Sequence, residues 1–304
     1  MSTVAAKTVS PSRGLALIYL LFTGSMLGTS TILAKLSSNA GINPVAFLTW
    51  SILSAAALLF VTGTLRGVRF HLGDGRIGYF VVAGLVTVAA PNLIIFTAAP
   101  VVGAGFVALS IAFPPLLTYL GALLLRIERF DLVRAFGVAL ALFGAIWLAL
   151  GKMDEADASL AWIGLTLLIP VFLAIGNIYR SLRWPAGAQP EELAPGMLAA
   201  AGGILLAVGL TTGQSLTIPA APSAWLLLMV QSVTFTCQFF VFFMLQRVGG
   251  PVILSLLGAV AAIVTVPLSV VLLAEDIPAG LLIGGITIGL GIFCVTRKPA
   301  TGKP

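Results

Sequence analysis

The sequence predicts an all-α membrane protein with ten transmembrane helices, arranged as two inverted five-helix repeats. Three observations lead to this fold class: the composition, the length of the apolar segments and an internal repeat. The 304 residues are 59% hydrophobic and 9% charged, whereas soluble domains carry about 25% charged residues. Too few polar side chains remain to cover a surface that faces water. We therefore expect the lipid bilayer to surround most of the chain.

Ten apolar segments have roughly the length of about 20 residues that a membrane-spanning helix needs. They cover residues 14–36, 44–65, 77–99, 101–125, 131–150, 161–180, 192–212, 223–245, 251–273 and 279–296. Proline lacks the N–H that the helical ladder requires, so a turn is expected at Pro100. Interruptions inside the spans are expected at five further prolines, which are Pro91, Pro114, Pro115, Pro170 and Pro267.

The basic residues predict the orientation of the spans, because Lys and Arg accumulate in cytoplasmic loops. With the N-terminus inside, only Lys35 and Lys152 of the 16 Lys and Arg residues fall outside. Lys35 is then the one cation expected to be buried. We predict a multi-pass protein of the cell inner (plasma) membrane with both termini in the cytoplasm. The loops thus account for the net charge of +6, and no continuous basic face predicts nucleic-acid binding.

A repeated motif divides the chain into residues 1–150 and 151–304. Glu128, Gly137 and Gly144 follow the spacing E-x8-G-x6-G, and the same spacing recurs at residues 275, 284 and 291. Each half then holds five spans, and an odd number of crossings inserts the second copy upside down. Inverted repeats commonly build alternating access around a site near the middle of the membrane. The same register sets Asn92 opposite Gln238.

The fourth span and the residues after it resemble a known family. This segment runs from Ser110 through Pro115 to Glu128 and is followed by the glycine motif. It is similar to the drug/metabolite transporter superfamily, specifically its EamA-type ten-helix members. The chain departs from that pattern at Leu27, where the family often has Trp, and at Ala262, where the second copy lacks the proline.

The resemblance implies a central cavity lined mainly by the third, fourth, eighth and ninth spans, with contributions from the first and sixth. It also implies transport, because family members export amino acids and other metabolites, or move sugar-phosphates and nucleotide-sugars.

Four side-chain amides inside the spans are the first candidates for substrate binding, because polar groups in the membrane usually face a cavity or a neighbouring helix. They are Asn92, Gln238, Gln231 and Asn177. Each could hydrogen-bond the ammonium or carboxylate of a zwitterion. The alternative for each amide is a hydrogen bond that joins two helices.

Four further residues complete the candidate substrate-binding set. Ser110 and Ser255 could line the cavity, or could bond to a carbonyl of their own helix. Phe113 could form an apolar wall and Trp50 could reach the cavity, with plain packing as the alternative for both.

Other conspicuous residues have structural interpretations. Tyr79 and Trp162 are expected to anchor span ends at the membrane surface. Glu128 and Glu275 are each expected to complement the N–H groups at the start of the following helix. Small residues at four-residue spacing predict close helix packing, and they are Gly137, Ala141, Gly280, Gly284, Gly285 and Gly289.

These features predict a small-molecule transporter rather than an enzyme. The single His lies in a loop, and no metal or cofactor is expected. No acidic residue lies in the middle of a span, which favours transport without proton coupling. We expect export of amino acids or similar neutral or zwitterionic metabolites by a monomer, with broad-specificity drug efflux as the alternative. A structural or receptor subunit without transport is a third possibility.

Overall fold

The chain is helical throughout the part that its computed structural model describes. The described residues are 13–71, 73, 75–126, 130–153, 160–275 and 280–296. No strand occurs within these ranges. The predicted all-α class is confirmed, whereas Glu128 lies outside the described residues.

The helices follow one another along the chain with short connections. The first half contains α1 (Arg13–Asn39), α2 (Pro44–Leu65), α3 (Arg76–Gly84), a π-helical turn (Leu85–Ala89), α4 (Ala90–Val102), α5 (Ala104–Ile111), α6 (Pro114–Leu124) and α7 (Leu132–Met153). The second half contains α8 (Leu160–Thr166), α9 (Ile169–Arg183), α10 (Pro190–Thr211), α11 (Pro222–Ser255), α12 (Leu257–Leu273) and α13 (Leu281–Thr296).

These helices correspond to the ten predicted spans. Seven stretches are long and apolar enough to cross a membrane by length and composition, and three shorter apolar helices complete the set. The main difference in bounds is that α11 continues to Ser255, beyond its predicted end at 245. Gly249 and Gly250 do not force a break, because glycine in a helix costs only about 1 kcal/mol relative to alanine.

Prolines mark the places where single spans divide into two helices. Pro91, Pro114 and Pro170 lie at the first or second position of α4, α6 and α9, where a missing N–H is tolerated. Pro267 instead lies inside α12. Pro100 does not form the predicted turn, because it lies inside α4. The chain turns at Gly103, whose φ of 89° favours glycine.

Helices from the two halves of the chain pack against each other. Helix α2 packs on α10, α5 on α12 and α7 on α13. Helix α1 packs on α11 and α12, and α9 packs on α4 and α6. The core is therefore built between the halves rather than within each of them.

The crossing of α7 and α13 depends on glycines of the repeated motif. A Cβ on Gly291 would lie 2.5 Å from the carbonyl oxygen of Gly137, and a Cβ on Gly144 would lie 2.9 Å from that of Gly284. A Cβ added at Gly285 or Gly289, for which close packing is predicted, would have no neighbour within 4 Å. Close packing therefore involves the motif glycines on one face of α13 only.

The outside of the helical bundle is apolar. Large exposed side chains include Ile18 and Leu21 on α1, Val271 on α12, and Leu282 and Ile286 on α13. Exposed apolar surface on this scale marks contact with lipid or a partner. With the apolar spans, it describes a multi-pass membrane protein surrounded by the bilayer.

Candidate functional site

A small cavity lies near the centre of the bundle. Its volume is about 60 Å³, and its lining comes from α1, the π-helical turn, α4, α5, α6, α9, α11 and α12. These helices form the first, third, fourth, sixth, eighth and ninth spans, the same six that the family resemblance implies. The cavity has room for a few water molecules but is much smaller than typical ligand pockets of about 300–1,000 Å³.

Four of the predicted substrate-binding residues line this central cavity. Asn92 lies on α4, Asn177 on α9, and Gln238 and Ser255 both lie on α11. Asn92 donates from Nδ2 to the Val88 carbonyl oxygen at 2.8 Å. The Oε1 atom of Gln238 is buried and accepts no hydrogen bond from any described residue. The cavity therefore offers an acceptor that a solute could use.

The other four predicted residues lie away from the cavity lining. Gln231 donates to Ser30 Oγ at 2.8 Å and so joins α11 to α1. Ser110 donates to the carbonyl oxygen of Phe106 in its own helix. Phe113 is buried in the hydrophobic core at the start of α6. Trp50 is 39% exposed and donates to the Leu216 carbonyl oxygen.

A cation at the end of the predicted sixth span borders the cavity. Arg180 is 0% exposed, so Lys35 is not the only buried cation and the cavity is not uncharged. Nε of Arg180 donates to Gln246 Oε1 at 3.0 Å and Nη2 to Asn177 Oδ1 at 2.8 Å, while Nη1 donates to Thr87 Oγ1. Spacing alone could have indicated Arg180, because it follows Asn177 by three residues and shares its helix face.

Arg180 also borders a second space, which we call the vestibule. The vestibule has a volume of about 320 Å³, and its lining includes Trp184, Gln189, Gln246 and Arg247. Arg247 donates to Gln189 Oε1 at 2.7 Å. The Arg180 side chain therefore lies on the boundary between the vestibule and the central cavity.

An ion pair joins the two halves of the chain at the far end of α12. Nζ of Lys35 lies 2.5 Å from Oε1 of Glu275. The backbone N–H groups of Ala104 and Gly105 donate to the same carboxylate at 2.9 and 3.2 Å. Glu275 thus complements the start of α5 in the other half of the chain. The prediction that it serves the helix that follows it was wrong, because the turn after α12 approaches α5.

Burial and hydrogen bonding act in opposite directions on this carboxyl group. Burial raises the pKa of Glu275, but the hydrogen bonds from Lys35, Ala104 and Gly105 and the positive charge of Lys35 together lower it below its usual value of 4.5. The carboxylate is therefore ionised in this arrangement at neutral pH.

A further pocket is apolar and lies apart from the polar residues discussed above. Its volume is about 400 Å³, and its lining includes Leu53, Phe60, Phe80 and Pro195. At its edge Glu192 pairs with Arg76 and with His71 Nδ1. A polar solute has more hydrogen-bonding partners in the smaller central cavity.

Two predicted membrane-surface anchors differ in their surroundings. Tyr79 is only 4% exposed and stacks on Tyr179 with ring centroids 5.9 Å apart. It is a core residue, so its predicted role as an anchor was wrong. Trp162 is partly buried and packs against the core. Tyr79 lies near a span end in sequence, but α10 and α9 cover it.

Known proteins share both sequence and fold with this chain. Residues 14–150 match the EamA-like transporter family. A WAT1-related protein of Arabidopsis thaliana is 25% identical over 95% of this chain and 92% of its own length. A protein of known crystal structure shares the fold with a TM-score of 0.67 at 19% identity, over 94% of this chain and 97% of that one. The first half of the chain is therefore similar to EamA-like transporters, and the relative that matches over nearly the full length agrees with the resemblance to the drug/metabolite transporter superfamily.

Proposed function

We propose that this protein exports amino acids or similar neutral and zwitterionic metabolites across the cell inner membrane. The observation that carries the proposal is the convergence of three amides, Asn92, Asn177 and Gln238, on one cavity. Amides can donate to a carboxylate and accept from an ammonium group. The apolar walls of the cavity, which include Ile95 and Phe239, would strengthen such hydrogen bonds by excluding water.

Two features support an inverted repeat of residues 1–150 and 151–304. The packing of α1 on α11 and α12 corresponds, five spans later, to the packing of α9 on α4 and α6. The motif glycines are also exchanged, because Gly291 lies against Gly137 while Gly144 lies against Gly284. Both relations are expected if the halves are related by a twofold axis in the membrane plane.

The repeat would give transport by alternating access. The Lys35–Glu275 pair joins α1 to the residues just after α12, and Arg180 lies between the cavity and the vestibule. A cavity of about 60 Å³ must enlarge to hold an amino acid. We infer that the halves move against each other so that the amides face one side of the membrane at a time.

The described lining also bears on energy coupling. None of the residues that line the central cavity is a carboxylic acid, so no lining side chain is suited to carry a proton in exchange for solute. We therefore propose uncoupled transport or exchange.

Both termini would lie in the cytoplasm, as the distribution of Lys and Arg predicts.

Counterflow in proteoliposomes tests the proposed function. Vesicles loaded with each of the proteinogenic amino acids should accumulate the same labelled amino acid when they contain the purified protein. A pH gradient should leave the rate unchanged. Replacing Asn92 or Gln238 by Ala should lower the apparent affinity by about 5- to 10-fold, the value of one hydrogen bond.

The matched control for these variants is Gln231→Ala, which removes an amide of the same helix that contacts Ser30 rather than the cavity. Unchanged transport by both cavity variants would refute the site. Accumulation of quaternary cations in place of amino acids would favour the alternative, broad-specificity efflux of drugs. Absence of flux for every solute would refute transport.

A further inference from the structure

Arg180 is a buried charge without a described counter-charge. Among the described residues, Glu275 pairs with Lys35, Glu192 pairs with His71 and Arg76, and no ion pair involves Arg180. Its partners Thr87, Asn177 and Gln246 are neutral. Removing a guanidinium from water without an anion is unfavourable. An anion bound in the cavity would compensate this charge.

The guanidinium retains donors that could bind such an anion. It carries five N–H groups, and the described contacts use one on each of its three nitrogens. One N–H on each terminal nitrogen therefore remains. The ring of Phe242 lies 4.8 Å from the guanidinium carbon and covers its flat face. The two remaining N–H groups lie at the edge of the guanidinium, where bidentate hydrogen bonds form.

We propose that Arg180 binds the carboxylate of the transported solute, and that the protein therefore selects solutes that carry a carboxylate. This inference rests on the proposed function and names the substrate class. For an amino acid, the unpaired Oε1 of Gln238 is available to accept from the ammonium group. Binding neutralises the buried charge, so the loaded cavity is electrostatically more favourable than the empty one.

The cavity favours a carboxylate over a phosphate. The two remaining N–H groups of Arg180 match the two oxygens of one carboxylate. A phosphate carries up to two negative charges, and Arg180 is the only cation among the residues that line the central cavity. The Arg247 guanidinium belongs to the vestibule instead. Organic phosphates are therefore expected to bind more weakly than carboxylates of similar size.

Ligand-induced stabilisation of the purified full-length protein tests the inference without requiring transport. The probes are the proteinogenic amino acids, their amides, the corresponding decarboxylated amines, and inorganic phosphate. A ligand that binds only the folded protein raises its melting temperature. We expect stabilisation by at least one amino acid, and at least about 10-fold weaker binding of its amide and its amine, because hydrogen bonds to a charged group are lost.

Variants of Arg180 then assign the effect to this residue. Arg180→Gln should weaken amino-acid binding about 10- to 100-fold while amide binding changes little. Arg180→Lys keeps the positive charge but loses the planar guanidinium that can donate two hydrogen bonds to one carboxylate. Its affinity for the amino acid should therefore be intermediate. The matched control is Arg183→Gln, which removes an exposed cation from the same helix and should bind like the unmodified protein. A purely structural role would weaken acid and amide binding equally.

The possible outcomes separate this inference from the proposed function. Carboxylate-dependent binding without flux in vesicles would refute transport but leave the anion site in place. Flux of amides or amines at the rate of the acids would refute the anion site but leave transport in place. If Arg180→Gln does not fold, equal binding of acid and amide by the unmodified protein still overturns the inference. Tighter binding of phosphate would contradict the choice of carboxylate.

Discussion

Lys35 and Arg180 are both cations near the ends of apolar helices, but their surroundings differ. Lys35 is partly exposed and faces the carboxylate of Glu275. Arg180 is fully buried among neutral groups and one aromatic ring. The first cation therefore has a counter-ion within the protein, which suits a contact between the halves. The second cation lacks a described counter-ion, which suits a binding site.

At the scale of residues, we predict that Glu275→Gln weakens the closure between the halves. The substitution removes the charge that Lys35 and two N–H groups contact, and a charge-assisted bond is worth about 1.5 kcal/mol or more. Ser269 is 2% exposed beneath this contact and lies beside Gly105. In a chain without Cys237 and Cys294, alkylation of Ser269→Cys should become roughly 10-fold faster.

The pH dependence of this closure follows from the lowered pKa of Glu275. The closed arrangement gains stability from the carboxylate fully above its usual pKa of 4.5, and loses it only as the pH falls through the lowered value. The ratio of the Ser269→Cys alkylation rates in Glu275→Gln and in its parent should therefore not differ between about pH 6 and pH 8, because the pH-dependent thiolate fraction cancels in this ratio. The control for Glu275→Gln is Glu191→Gln, which removes a carboxylate that makes no ion pair among the described residues and should leave the alkylation rate unchanged. Equal alkylation rates for Glu275→Gln and its parent would show that the pair does not hold the halves closed.

At the scale of elements, prolines and glycines have different effects. Pro91, Pro114 and Pro170 divide their spans and so place helix ends beside the central cavity. The π-helical turn before Pro91 carries Thr87, which contacts Arg180, and such turns often occur at functional sites. The motif glycines instead let α7 and α13 approach closely. Backbone geometry at these positions determines both the cavity and the contact between the halves.

We predict that Gly291→Ala destabilises the crossing of α7 and α13. The new Cβ would lie 2.5 Å from the Gly137 carbonyl oxygen and 2.6 Å from the Ala141 Cβ. Overpacking of this kind costs about 1–3 kcal/mol, measurable as the free energy of unfolding in mixed micelles. Gly289→Ala is the matched control, because nothing lies within 4 Å of that position. Equal stability of the two variants would mean that the crossing adapts without strain.

At the scale of the whole molecule, the halves are interleaved rather than separate. Each of α2, α5 and α7 has its main partner in the second half. Movement that opens the cavity to one side must therefore alter contacts at the other side as well. The Lys35–Glu275 pair and the Arg180 boundary lie at opposite ends of this interleaved core in the predicted topology.

The inverted arrangement predicts that both chain ends lie in the cytoplasm, since ten crossings return the chain to its starting side. Green fluorescent protein fused to either end should fluoresce, and alkaline phosphatase fused there should be inactive. A phosphatase fusion in the predicted outer turn at Ala40 and Gly41 should be active and serves as the control. Ends on opposite faces would exclude ten crossings and the proposed inversion.

The sequence by itself indicated that lipid surrounds the chain, predicted the number of apolar spans and carried the resemblance to EamA-type transporters. Apolar runs and the distribution of Lys and Arg are local properties of the chain, and they respond directly to the bilayer. The polar residues Asn92, Asn177, Gln238 and Ser255 were also among the candidates, because an amide or hydroxyl inside an apolar span is visible without a structure.

The tertiary structure alone decided which of those polar groups share a cavity and which charges are buried. Gln231 lies two helical turns before Gln238 on α11, but its amide donates to Ser30 on α1 rather than lining the cavity. Arg180 ends the predicted sixth span, where a cation commonly faces water, and the packing of α9 against α4, α6 and α11 removes it from water. Burial depends on neighbours that are distant in sequence, so span positions and charge counts could not predict it.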